Sequence, residues 1–160
     1  MDFKKEIFAI LDEAVGQIKS NIDSVGANVT GKTKNSFQVF EQGNIIGIEA
    51  ARYWATLETG RGPGKVPYDF KNTIMEWMRN RGLWQSETES RKNSIAFRIA
   101  EKIKNEGTSL FRDKGRSDVF SNVINDSLIN TILDKSGNIL LKEISNGINS
   151  NLPTSTSIKF

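Results

Sequence analysis

Apolar residues at Phe3, Ile7, Leu11, Ala14, Ile18, Ile22 and Val25 recur in steps of three and four, which draws one stripe down a helix spanning residues 3 to 25. The pattern then breaks. Residues 26 to 35, GANVTGKTKN, are polar and punctuated by glycine, as a loop requires. In SFQVFEQGNIIGIEA the period changes to two. Phe37 and Val39 alternate with polar neighbours, Ile46 and Ile48 do the same across Gly47, and Gly43-Asn44 lies between them, so this segment predicts a β-hairpin.

Helical spacing returns after the stretch TLETGRGPGKVPYDF, with Phe70, Ile74, Trp77 and Met78 on one face and Gly82 as a stop. QSETESRKN reads as a polar connection, with Ser94 as the cap of a helix carrying Ile95, Ile99 and Ile103 and ending at Glu106-Gly107. Ala96 and Ala100 on that stripe predict close packing against a neighbour. LFRDKGRSD reads as a basic loop. Ser117 or Asp118 is the expected cap of a long helix bearing Phe120, Val123, Ile124, Leu128, Ile132 and Leu133, interrupted at Gly137. Residues 139 to 148 fit helix or strand equally. From residue 149 onward the chain reads as an extended tail that orders against a partner through Leu152, Ile158 and Phe160. The expected fold is a single α+β domain over residues 1 to 148, mostly helical, with a small antiparallel β-hairpin sheet packed on a long N-terminal helix.

Composition narrows the chemistry. The 160 residues include neither cysteine nor histidine, which removes disulfides, thiolate nucleophiles, imidazole-based triads and the usual zinc sites. The N-terminus alternates charged and apolar residues, so neither a signal peptide nor a membrane span is expected there, and a cytoplasmic site of synthesis and assembly follows. The net charge is +3, but residues 71 to 116 hold eleven basic and six acidic side chains, a local excess of five. A solvated helical surface accounts for that excess as readily as a nucleic-acid face does.

The glycine-rich stretch from Thr56 to Phe70 invites comparison with a phosphate-binding loop. The P-loop needs four residues between its glycines and a hydroxyl residue after its lysine. Here three residues separate Gly60 from Gly64, Val66 follows Lys65, and Pro63 removes an amide. The segment therefore reads as a stiff, kinked contact loop, with no cofactor or metal expected. Glu49, Glu58 and Asp69 lie near it, and a carboxylate pair could serve acid-base chemistry. Arg52 and Arg61 offer them ordinary ion-pair partners instead. Tyr53, Trp54, Trp77 and Trp84 read as core or interface anchors.

The order of hairpin, YWATLETGRGPGKVPYDF and helices resembles the head-to-tail joining or tail-completion proteins of tailed bacteriophages. Tyr53, Glu58, Thr59 and Gly60 match that pattern, with the last two in the order Thr-Gly where the family has Gly-Thr. Pro63 and Pro67 stand where its prolines do. TLETGRGPG together with RIAEKIKNEGTSLFR resembles the versions carried by crAss-like phages. The resemblance implies a non-enzymatic virion part: a homo-oligomeric ring at the neck or upper tail, around the DNA channel, in contact with other neck, portal or tail proteins and without a membrane. It makes Tyr53, Trp54, Glu58, Arg61, Lys65, Arg112, Lys114 and Arg116 candidates for subunit-interface or channel-facing positions. The alternative is a small DNA-binding module that uses the basic loops, namely Arg61, Lys65, Arg112, Lys114 and Arg116.

Overall fold

The stripe on the N-terminal helix decides where the core forms. In a computed structural model, which describes residues 3–27 and 30–151, helix α1 spans Phe3–Ser24 and buries Ile7, Leu11, Ala14, Val15, Ile18 and Ile22. Ile18 and Ile22 are wholly inaccessible to solvent, and each contributes about 1.5–3 kcal/mol by burial. Strands β1 (Gln38–Gln42) and β2 (Ile45–Glu49) pair antiparallel and pack across α1, with Val39 opposite Ile48 and Gln42 opposite Ile45. This register leaves Gly43 and Asn44 as a two-residue turn, and Gly43 supplies the positive φ of 62° that such a turn needs. The chain is thus α+β and mostly helical, with its one described sheet lying on the N-terminal helix.

The expected loop at 26–35 contains a helical turn, α2 (Lys32–Asn35), and the proline-rich stretch opens with another, α3 (Thr56–Thr59). Single turns bury too little to show as a periodic pattern. Helices α4 (Phe70–Asn80) and α5 (Glu89–Glu106) then form a helical hairpin around a second buried cluster of Ile74, Met78, Ala96 and Ala100. The alanines do pack closely, since Ala96 is inaccessible to solvent. Helix α5 begins earlier than expected: Thr88 is its cap, accepting from the Arg91 amide at 3.3 Å, and Ser94 is an interior residue. An all-polar first turn hid that start.

Two further expectations are corrected. The basic loop holds a helical turn, α6 (Ser109–Arg112), capped by Thr108. The long helix does not start at Ser117 or Asp118. Residues 117–125 form turns, and α7 runs from Asp126 to Asn151, with the Asn125 side chain accepting from the Leu128 amide at 3.1 Å. The amides of Val119, Phe120 and Ser121 are bound to Glu58, and that attachment holds the segment out of the helix. Gly137 does not interrupt α7, and 139–148 is helical. The helix also passes the tail boundary expected at residue 148, while Leu152, Ile158 and Phe160 of the tail lie outside the described residues.

Candidate functional site

Glu58 is the buried charged residue of the described core, with a relative exposure of 4%. Helix α3 ends at Gly60 and points this carboxylate inward. Its Oε1 accepts three successive amides, from Val119 at 2.9 Å, Phe120 at 2.7 Å and Ser121 at 2.9 Å, and its Oε2 accepts the Ser121 hydroxyl. Successive amides that converge on one oxygen form an anion-binding concavity, here filled from within the chain. The Arg116 amide adds a main-chain bond to the Glu58 carbonyl at 2.8 Å. Burial pushes the Glu58 carboxyl up, but the Ser121 hydroxyl and the three amides outweigh it and hold the group below its ordinary value of 4.5. The carboxylate is therefore a clamp between α3 and the 116–121 segment and is not presented to another molecule in this arrangement.

The two loops singled out in the sequence lie against each other. Thr108 donates its amide to the Arg61 carbonyl at 2.8 Å and accepts the Arg61 amide on its hydroxyl at 3.0 Å, while Gly64 donates to the Lys104 carbonyl at 2.8 Å. Pro63 lacks an amide and those of Arg61 and Gly64 are engaged within the chain, so these three positions offer no donor to a phosphate. Glycine is required at this junction. A Cβ on Gly60, where φ is 68°, would sit 2.4 Å from the Phe111 nitrogen, and one on Gly115, where φ is 78°, would sit 2.6 Å from the Glu58 carbonyl oxygen.

The candidate side chains divide into committed and open groups. The Arg61 guanidinium bonds the Lys65 carbonyl at 2.7 Å and lies 5.3 Å from the centroid of the Phe70 ring, so it braces its own loop. Arg112 bonds the Gly107 carbonyl at 2.7 Å and approaches Glu106 at 3.8 Å. Trp54 packs edge-on against Phe120 with centroids 4.4 Å apart, which makes it part of the α1 core. Tyr53, Lys65, Lys114 and Arg116 are exposed, with Arg116 4.0 Å from the Asp118 carboxylate. Lys114 and Arg116, with Thr59, Gly62 and Phe111, line a shallow groove of about 440 Å³. Glu49 and Asp69 are exposed, and neither joins Glu58 in its clamp. Among the described residues no group of acidic side chains could hold a metal ion, and no helix is long and apolar enough to cross a membrane.

Sequence reading passed over Thr108 and Ser121, which complete the junction together with Phe111. A glycine directly before Thr108 and another at Gly115 were the available signals, because they bracket a capped turn. It also passed over the outer face of α7. Ile129, Leu133, Leu140, Leu141 and Ile144 are all more than half exposed, whereas Leu128, Ile132 and Ile139 on the adjoining face are half-buried, and α1 is the element against which α7 packs. A second apolar surface lies along α4 and α5, a groove of about 500 Å³ lined by Phe70, Ile74, Trp77, Ile99 and Ile103.

No protein-family model, curated protein or solved structure matches the chain.

Proposed function

We propose that the protein is a structural assembly component: many identical copies form a homo-oligomeric ring around a DNA channel at the neck or upper tail of a phage particle. The observation that carries this reading is the uncovered apolar face of α7, a 26-residue helix on which Ile129, Leu133, Leu140, Leu141 and Ile144 are each more than half exposed. Faces of this kind mark protein contacts. The loop junction supports the same reading. Its glycines, clamp and braced arginine make it rigid, and a rigid surface loses little entropy when a neighbouring subunit fixes it. Heterologous contacts between identical subunits close into rings when their rotation allows.

A second reading is favoured by the groove at Lys114 and Arg116, which sets two cations beside an exposed Phe111. It makes the chain a DNA-binding module. The two differ in salt dependence. A monomer that binds duplex DNA with affinity falling steeply as salt rises supports the module. Self-assembly at physiological salt, with weak or no DNA binding, supports the ring component. The decisive experiment is the solution mass of the full chain with and without duplex DNA. A strictly monomeric protein that gains mass only with DNA refutes the ring.

A further inference from the structure

The exposed face of α7 has a symmetry of its own. Ile129, Leu133, Leu140 and Ile144 fall within an arc of about 60° on the helix, and their spacing of four, seven and four residues reads the same from either end. We infer that this stripe is an isologous interface, in which α7 pairs antiparallel with α7 of a second copy of the chain. The inference rests on the assembly reading above for its premise that identical copies meet, and it adds which face meets and how. In an antiparallel pair centred between residues 136 and 137, Ile129 lies opposite Ile144 of the second copy and Leu133 opposite its Leu140. Ser136 and Gly137 lie opposite each other at the crossing point.

Three features select this partner. Size is the first. The four stripe side chains, each more than half exposed, offer about 100 Å² apiece. Two copies together then bury on the order of 800 Å² from these side chains alone, and Leu141 and the polar residues at the stripe's edges bring the contact to the ~1,000 Å² of a specific interface. Closeness of approach is the second. Gly137 has open space where a Cβ would project, and the Ser136 hydroxyl already donates to the Ile132 carbonyl at 2.7 Å, so neither residue leaves an unpaired group when covered. Charge is the third. In parallel register Asp126, which lies on the same arc as the stripe, would meet its own copy, whereas the antiparallel pair sets it level with residue 147. A contact of this type is two-fold, so it adds a dimer axis to any ring and makes the copy number even.

The absence of native cysteine makes the geometry directly testable. Full-length Leu133→Cys and Leu140→Cys are prepared separately and oxidised either alone or as an equal mixture. The pairing places residue 133 against residue 140 of the second copy. Two copies of residue 133 stand about 10 Å apart along the axis, beyond the reach of ~7 Å between disulfide-linked Cα atoms. The expected result is a mixed 133–140 disulfide at least tenfold more abundant than either same-position product, with Leu133→Asp folded by circular dichroism yet depleted of dimer. Predominant same-position disulfides would indicate parallel packing and overturn the inference. Absence of any disulfide, with Leu133→Asp assembling as wild type does, would overturn it and leave self-assembly to a surface other than α7. A wild-type chain that never self-associates would remove both.

Discussion

Replacing Glu58 should damage this fold more than replacing any other charged residue. In Glu58→Ala the amides of Val119, Phe120 and Ser121 lose their acceptor. The Val119 amide is fully buried, and the other two are partly so. An unsatisfied buried donor costs about 1–3 kcal/mol, and water can reach two of the three, so a total of about 3–5 kcal/mol is expected. Against a domain stability of roughly 5–15 kcal/mol that loss is severe. Glu58→Gln keeps an oxygen for the amides but loses the charge, which sets its cost at about 1.5–3 kcal/mol. The charge also fixes the pH dependence. The folded carboxyl titrates below 4.5 while the unfolded one titrates near it, so the unfolded chain binds the extra proton as pH falls. The stabilisation is complete above 4.5 and is lost as pH drops through the lower folded value. Urea unfolding followed by near-ultraviolet circular dichroism, which reports on Trp54 against Phe120, measures both effects. A Glu58→Ala cost below about 1 kcal/mol, or a wild-type advantage over Glu58→Gln that persists unchanged well below pH 4.5, would refute the clamp.

Gly60→Ala should cost about 2–4 kcal/mol, combining a backbone conformation that only glycine adopts readily with collision against Phe111. Gly16→Ala, at an exposed site on α1 with open space for a Cβ, should instead stabilise by about 0.5–1 kcal/mol, and thermal or urea unfolding separates the two. Ala96→Leu should destabilise by about 1–3 kcal/mol by overpacking the α4–α5 contact, with the α1 core less affected as judged by amide exchange. ATP and GTP should not bind saturably at micromolar concentration, and titration calorimetry showing binding that vanishes in Lys65→Ala would contradict the account of the glycine loop.

Long-range period was the legible part of the sequence. Helix α1, the hairpin and α4 each carry enough apolar residues at one spacing to declare themselves, and the alanines of α5 announced close packing. The misplaced boundaries share a physical cause: their signals are not periodic. The first turn of α5 is wholly polar, α6 is a single turn held by Thr108, and the start of α7 is moved from Ser117 to Asp126 by a carboxylate some sixty residues away. Gly137 looked like a breaker because glycine lowers helix propensity by about 1 kcal/mol, which a helix of this length outweighs. The candidate site was legible as residues but not as roles. Glu58 and Arg61 were singled out as interface or channel candidates and Trp54 as a core or interface anchor, and the structure engages each of them within the chain. Lys65, Lys114, Arg116 and Tyr53 remain at the surface, where composition alone had put them.

Self-assembly is the claim on which the functional account stands, and native mass spectrometry of the full-length protein at micromolar concentration and physiological salt tests it most directly. The account predicts discrete oligomers with an even number of copies, which Leu133→Asp reduces to smaller species without unfolding the chain. A single monomeric species at every concentration, unchanged by that substitution, would contradict it.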